Sequence, residues 1–267
     1  MHPHAWTWKP DVAAMALLAL SGAFYAAGLA RMWRRGGRPP GLEITAFTIG
    51  WLTLAAALLS PIATFSEWLF SVHMTQHELL MLVAAPLIAI GRPLVPMLWA
   101  LPRRWRTASR ASAAAAGLAV LASPPVAFLL HAVALWGWHL PVLYEAAVLD
   151  ERIHLVQHIC FAGTAAIFWW GLIRGRYGRF GYGAAVIYVF ATALHSGGLG
   201  ALLAFSTRPW YEVYAQRSAT LQAAVADQQL GGLIMWIPAG VVMMLFGLAL
   251  FAAWLGEAER RRQRGWL

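Results

Sequence analysis

Two pairs of histidines are the residues of this sequence best suited to chemistry. His73 and His77 are four positions apart in one apolar stretch, and His154 and His158 repeat that spacing in another. On an α-helix, positions i and i+4 share a face, with Cβ atoms about 5–6 Å apart. Two imidazoles at that spacing can chelate one metal ion, as they do in zinc-binding helices. The two pairs therefore predict a metal site.

Other polar residues could complete such a site. We expect His139 or His195 to supply a third ligand. Gln76 and Gln157 each precede the second histidine of a pair, where an amide could orient the imidazoles. Asp227 could accept a hydrogen bond from a ligating histidine or cap a helix. The softer candidate ligands, ranked below the histidines, are Met74, Met235 and Cys160.

The identity of the metal is less constrained than its position. Imidazole suits zinc, copper, iron and nickel alike, whereas the nearby thioethers and thiol favour copper, with zinc as the alternative. Haem is a weaker alternative, because four residues of helix rise only about 6 Å, too little to stack two haems along one helix pair. One haem would leave half of the histidines unexplained. Whether His131, His2 and His4 take part stays open.

An enzyme is the second functional class that these residues allow. A zinc-dependent hydrolase within the membrane would use a metal-activated water. The sequence does not contain His-Glu-x-x-His, because Met81 stands where the second histidine is required after His77 and Glu78. We therefore expect a non-catalytic protein, with the hydrolase as the runner-up.

The composition places these residues in a membrane protein. Of 267 residues, 60% are hydrophobic and only 12% are charged, and the mean hydropathy is +0.60. Soluble domains carry about 25% charged residues. The net charge of +9 comes from short arginine clusters between apolar runs, which is a topology signal rather than a nucleic-acid surface. The single cysteine excludes an intrachain disulfide.

Seven apolar runs are long enough to cross a bilayer, which takes roughly 20 residues. We predict one all-α membrane domain over residues 1–267, with the first run retained because no cleavable signal precedes it. The predicted spans are 12–33, 42–60, 69–91, 115–138, 153–173, 182–205 and 229–255.

The arginines orient these spans. Basic residues collect in cytoplasmic loops. With the N-terminus outside and the C-terminus inside, sixteen of the 20 lysines and arginines lie on the inner side. The same topology places both histidine pairs, His139 and His195 in the outer half of the membrane. The metal site is therefore expected at the outer face.

Three longer motifs resemble a known family. They are His73–Pro93, then Trp138–Ala147 followed by His154-x-x-x-His158 and Phe168-Trp-Trp170, and finally Asp227–Pro238. In this order they resemble the multispan CtaG-like cytochrome c oxidase assembly proteins associated with caa-type oxidases. The resemblance runs from about the second span to the end of the chain. Gln157 departs from the pattern, since the family often has an acidic residue there.

The resemblance implies a bacterial inner-membrane factor that supports oxidase maturation through copper supply. The histidines of the family's motifs correspond to His73, His77, His139, His154 and His158 in this sequence. We expect cytochrome c oxidase subunits, the lipid bilayer and another copper chaperone as partners, and no nucleic acid. The sequence leaves open whether the protein forms a homo-oligomer.

Overall fold

A computed structural model describes residues 11–110, 117, 119–174, 181–263 and 265, and these ranges contain helices and no β-strand. The predicted all-α fold is confirmed. In chain order, the helices are α1 (Val12–Arg34), α2 (Gly41–Leu59), α3 (Pro61–Ser66), α4 (Phe70–Glu78), a π turn (Leu79–Ala84), α5 (Ala85–Gly91), α6 (Leu94–Ala100), α7 (Arg103–Arg110), α8 (Pro124–Trp138), α9 (Pro141–Leu149), α10 (Glu151–Arg174), α11 (Gly181–Ala204), α12 (Glu212–Arg217) and α13 (Leu221–Gln263).

Within the described ranges, six helical segments are long and apolar enough to cross a membrane. A seventh crossing is formed if α8 and α9, which are bent by 74° relative to each other, count as one broken span. The prediction of a multi-pass membrane protein is confirmed, with six to seven spans. The six unbroken segments are Val12–Arg34, Gly41–Leu59, Phe70–Gly91, Glu151–Ile173, Gly181–Ala204 and Leu221–Arg260.

Three spans differ from their predictions in bounds or in helix geometry. The fourth helix begins at Pro124 rather than at 115, because Ser123 and two prolines start a new helix; residues 115, 116 and 118 lie outside the described ranges. The third contains a π turn, which often occurs at functional sites. The seventh begins at Leu221 and has 43 residues, about 64 Å of helix. That length exceeds the roughly 30 Å hydrocarbon core, so α13 extends beyond it.

The break between α8 and α9 places a histidine at the bend. The backbone N–H of His139 donates to the carbonyl of Trp136 (3.2 Å), which closes the last turn of α8. Pro141 then opens α9, since proline at the first helical position needs no backbone partner. His139 therefore lies where the chain turns.

Glycines allow the closest helix contact. A Cβ placed on Gly232 of α13 would lie 2.5 Å from the backbone nitrogen of Ala204 and 2.7 Å from the carbonyl oxygen of Gly200. Only glycine permits this backbone approach, which is a common way for membrane helices to pack. The contact fixes α13 against α11.

The surface of α11 shows how the bundle meets lipid. Ile187, Phe190 and Leu194 are each at least 66% exposed and share one face, whereas Val189 and Thr192 are buried on the other. A helix face that is both apolar and exposed fits a hydrocarbon environment. The core is thus on the inner faces of the spans, where the polar side chains also lie.

The arginine-rich ends of the first three spans come together. Arg31 at the end of α1 donates to the carbonyl of Ala100, and Arg92 pairs with Glu43 at 3.4 Å. This is the shared side that the arginine count predicts for these loops. His2, His4, Lys9, Arg176, Arg179 and Arg264 lie outside the described residues.

Candidate metal centre

The first predicted histidine pair is buried and close. His73 and His77 lie one turn apart on α4, each only 1% exposed, with their Nε2 atoms 3.0 Å apart. Two nitrogens that bind one ion at about 2.0–2.1 Å are themselves about 3 Å apart. The observed separation therefore fits two imidazoles that share one ion.

The second pair faces the first across the bundle. His154 and His158 lie on α10 with ring centroids 4.2 Å apart. The ring of His73 is 5.0 Å from that of His154, and the ring of His77 is 5.5 Å from that of His158. Ligand atoms of His73, His77 and His154 all lie within 4.8 Å of one another. The tertiary fold thus brings both sequence pairs into one group.

A fifth imidazole comes from the bend between α8 and α9. His139 is 2% exposed, and its ring centroid is 6.5 Å from that of His77. Its Nδ1–H donates to the carbonyl of Leu135 (2.6 Å), which leaves the lone pair on Nε2. A backbone carbonyl on one nitrogen is the usual way to orient a ligating histidine. We call His73, His77, His139, His154 and His158 the histidine cluster.

Tyr214 sets the protonation of His73. The Tyr214 hydroxyl donates its hydrogen to the carbonyl of Ser66 (2.8 Å), so it accepts from Nδ1–H of His73 (3.0 Å). Burial raises the pKa of Tyr214, so the phenol keeps this hydrogen at neutral pH. His73 consequently carries its proton on Nδ1, and its Nε2 lone pair faces His77.

Replacing Tyr214 with phenylalanine is expected to weaken metal binding by about 10–100-fold, the usual effect of losing a partner that orients a ligand. The Nδ1–H of His73 then has no acceptor, so the ring no longer has a fixed tautomer. Competition with a chelator of known affinity measures the loss. Tyr211→Phe is the control, because the Tyr211 hydroxyl binds a backbone carbonyl of His139 (3.0 Å) and no ring nitrogen. Equal losses in both variants would contradict the role given to Tyr214.

Several ring nitrogens of the histidine cluster have no hydrogen-bond partner. Among the described residues, Nε2 of His139, His154 and His158 and Nδ1 of His77 are buried and unpaired. Burying a polar atom without a partner is costly, and such atoms are rare in folded proteins. A bound cation would give the Nε2 lone pairs of His139, His154 and His158 a partner. The residues present therefore fit a metal ion.

Asp227 holds the start of α4 in place. Its carboxylate accepts from the backbone nitrogens of Phe70 (2.6 Å) and Ser71 (3.3 Å) and from the Ser71 hydroxyl. Helix α4 has no capping side chain of its own, so a residue of α13 caps it. Of the two predicted roles, Asp227 takes the capping role, but on the third span rather than the seventh. It positions the histidine helix and makes no hydrogen bond to an imidazole of the described residues.

The two glutamines differ in what they contact. Gln76 donates to the carbonyl of Ala57 (2.8 Å), which fixes α4 against α2 rather than orienting an imidazole. Gln157 is completely buried and lies beside His73 on the opposite helix. Gln157 therefore lies closer to the predicted place than Gln76, but its amide makes no hydrogen bond among the described residues.

The remaining predicted ligands lie apart from the histidine cluster. His195 packs edge-on against Phe128 (5.3 Å), and no ring contact among the described residues joins it to the cluster. Met74 is fully buried against Gly231 of α13. Met235 lines a separate cavity. Cys160 has a half-buried free thiol, and its backbone carbonyl accepts a hydrogen bond from the Thr164 hydroxyl.

Three tyrosines beside the cluster were not predicted from the sequence. Tyr144 and Tyr211 stack with centroids 3.9 Å apart, and Tyr214 is 6.2 Å from Tyr144. All three are buried and close one side of the histidine cluster. Their one sequence signal is that they lie in the aromatic segments next to His139 and ahead of Asp227.

A cavity of about 210 Å³ reaches the cluster from its other side. His73 and His154 line it together with Glu67, Glu151 and Arg217. The Arg217 guanidinium donates to the carbonyl of Glu67 and lies over the Trp68 ring at 5.6 Å. The cavity therefore provides a route to His73 and His154, and two carboxylates border this route.

Comparison with known proteins identifies relatives of the whole bundle. The sequence is 27% identical to an uncharacterized protein of Mycobacterium leprae over 267 residues, and 27% identical to uncharacterized proteins of Mycobacterium bovis and Mycobacterium tuberculosis over 277 residues. These alignments cover 95–97% of this chain but only 40% of each relative. No solved structure matches the chain.

A family-level match agrees with this bundle and its histidines. The sequence profile described as cytochrome c oxidase caa3 assembly factor matches residues 23–257, which include every member of the histidine cluster. The chain therefore belongs to the caa3-type cytochrome c oxidase assembly factor family.

Proposed function

We propose that the protein holds copper as cargo at the histidine cluster, on the outer face of a bacterial inner membrane, and supports copper insertion into cytochrome c oxidase. The observation that carries this proposal is the convergence of His73, His77 and His154, whose ligand atoms lie within 4.8 Å of one another. Family membership supplies the client, an oxidase.

The chemistry of the donors supports copper. All five members of the histidine cluster are imidazoles, which bind copper well, and buried ring nitrogens in four of them have no other partner among the described residues. Cytochrome c oxidase is a copper enzyme, so its assembly needs a supply of this metal. Zinc, the alternative cargo, would bind the same nitrogens.

Five imidazoles exceed what one ion requires, and this excess suits transfer. The cluster forms a continuous series in which His154 contacts His73, His73 contacts His77, and His77 contacts His158 and His139. Each ring lies within reach of the next, so one nitrogen can bind before another releases. The protein would thereby hold its cargo while the ligands of the ion exchange one at a time.

The 210 Å³ cavity supports a route for entry and release. Its carboxylates, Glu67 and Glu151, attract cations towards His73 and His154. Arg217 borders the same opening, and its charge limits how strongly a cation is retained there. The cargo would meet the His73–His154 side of the cluster first.

The outer orientation is supported by the arginines. The loops after the first and third spans, which hold nine of the inner arginines, contact each other through Arg31 and Ala100 at the end away from the histidine cluster. Basic loops stay in the cytoplasm. The histidine cluster would then face the compartment where copper is delivered.

Two alternative functions fit less well. His73 and His77 lie on one face of one helix with nitrogens 3.0 Å apart, so they cannot bind opposite sides of a haem. In zinc hydrolases of the His-Glu-x-x-His type, the glutamate after the first histidine is the general base, yet Glu78, which follows His77, lines a different cavity. Binding without catalysis is the function that the geometry supports best.

A test in cells uses a bacterium from which this gene has been deleted. A copy carrying His77→Ala is expected to leave oxidase activity and oxidase copper content at the level of the deletion strain, while the oxidase polypeptides remain in the membrane. Added copper salt should restore part of the activity. Met244→Leu, at an exposed position of α13, is the control and should complement fully. Full oxidase copper content with His77→Ala would refute the proposal.

A further inference from the structure

A second group of polar side chains lies farther along the same helices. Glu78, His131, Thr192 and Ser196 line a cavity of about 30 Å³ together with three methionines, Met81, Met235 and Met243. We call it the methionine cavity. His131 is about 12 Å along α8 from the bend at His139, so this cavity is distinct from the histidine cluster. Its volume admits a single ion or about one water molecule.

The tautomer of His131 follows from its neighbours. The Thr164 hydroxyl donates its only hydrogen to the carbonyl of Cys160 (2.7 Å), so it must accept from Nδ1–H of His131 (3.1 Å). The proton of His131 is therefore on Nδ1. Its other nitrogen, Nε2, carries a lone pair, as in a histidine that is ready to bind a metal.

The other hydrogen-bond donors that line the methionine cavity donate to backbone carbonyls. The Thr192 hydroxyl donates to the carbonyl of Tyr188 and the Ser196 hydroxyl donates to the carbonyl of Thr192, both at 2.8 Å. The Trp169 indole N–H donates to the carbonyl of Met81 (2.8 Å). No side-chain N–H or O–H of the lining residues is left to donate into the cavity.

Glu78 adds a carboxylate without a partner. Its Oε2 atom is buried, and no hydrogen bond or ion pair to Glu78 occurs among the described residues. An unpaired carboxylate within a membrane span is strongly unfavourable, and such residues normally serve a function. The group needs a proton or a cation.

The three methionines decide between a hard and a soft cation. Met81, Met235 and Met243 are each at most 5% exposed, and all three residues line the cavity. Thioether sulfur selects soft metal ions, whereas sodium, potassium and magnesium prefer oxygen. The cavity offers electron pairs and no free hydrogen, and three methionines are among its lining residues, which fits a monovalent soft metal ion.

We propose that the methionine cavity is a second metal site, which binds one soft cation of the copper(I) or silver(I) class through thioether sulfurs and Nε2 of His131. Glu78 balances the charge of the ion. The site does not depend on the histidine cluster, since the two share no residue. The protein would then hold metal at two levels of the bundle, one rich in nitrogen and one rich in sulfur.

X-ray absorption at the copper edge tests this site, using the full-length protein in detergent loaded with copper(I) under reducing conditions. We expect sulfur scatterers in the wild type and their loss in Met235→Leu/Met243→Leu, with one copper fewer per chain. Leucine conserves volume, and such swaps usually cost less than about 1.5 kcal/mol per site. Met244→Leu is the matched control, because Met244 is next to Met243 but 56% exposed.

Two further variants separate the outcomes. His73→Ala/His77→Ala should keep the sulfur scatterers, so a failure of the histidine cluster and a failure of the methionine cavity give different spectra. Glu78→Gln, which keeps the size of the side chain, should weaken copper(I) retention at the sulfur-containing site. Wild-type protein without sulfur scatterers, or a methionine double variant that keeps them, would overturn the proposal and leave Glu78 as a protonated carboxyl.

Discussion

His73→Ala/His77→Ala is expected to remove copper from the histidine cluster of the purified protein, with affinity falling by more than about 100-fold. Losing one residue that merely orients a ligand costs 10–100-fold, and this variant removes two ligands whose nitrogens lie 3.0 Å apart. Alanine is the best helix former, so α4 should persist. Elemental analysis after dialysis against a weak chelator measures the bound metal.

His195→Ala is the control for this experiment. Its side chain is also a histidine within a span, but it packs against Phe128 rather than the cluster. We expect this variant to retain the copper of the histidine cluster. Equal metal content in wild type and His73→Ala/His77→Ala would refute copper binding by the cluster.

The second large effect concerns stability. Gly232→Ala places a methyl group 2.5 Å from the backbone of Ala204 and 2.7 Å from that of Gly200. The backbone cannot yield unless α11 and α13 separate, and such overpacking typically costs about 1–3 kcal/mol. We expect Tm in detergent to fall by roughly 2–12 °C, at about 2–4 °C per kcal/mol for a chain of this size.

Gly240→Ala on the same helix provides a matched control. A Cβ at Gly240 meets nothing within 4 Å of the described structure. Replacing glycine within a helix by alanine stabilises by about 0.5–1 kcal/mol when space is free. Tm should therefore stay level or rise. A Tm for Gly232→Ala equal to that of Gly240→Ala would show that the glycine contact does not hold the two spans together.

The capping of α4 connects this helix contact to the metal centre. Asp227 lies on α13, one helical turn from Gly231 and Gly232, and its carboxylate binds the backbone of Phe70 and Ser71. A shift of α13 would move the start of the helix that carries His73. We infer that the packing of α13 and α11 positions the first histidine pair, although neither helix supplies a member of the cluster.

The sequence predicts the parts of the site that depend on one helix at a time. The i, i+4 spacing sets each pair on one helix face, and the apolar runs set those faces in membrane spans. These features depend on local geometry and hydropathy, so the printed sequence is enough to find them.

Side chains that act across helices were harder to predict. Gln76 and Gln157 occupy equivalent positions in their pairs, yet Gln76 binds Ala57 of α2 and Gln157 lies beside His73. His195 and Met235 were grouped with the other ligands because they lie at a similar depth in their spans. Depth alone does not fix rotation about the helix axis, and rotation decides what a side chain contacts.

By itself, the sequence determined that this is an all-helical membrane protein with two chelating histidine pairs. Only the tertiary structure decided that the pairs meet, that His139 joins them, and that Tyr214 fixes the tautomer of His73. It also separated the methionine cavity from the histidine cluster. The reason is physical: helix periodicity fixes neighbours within one span, whereas contacts between spans depend on packing at residues such as Gly200 and Gly232.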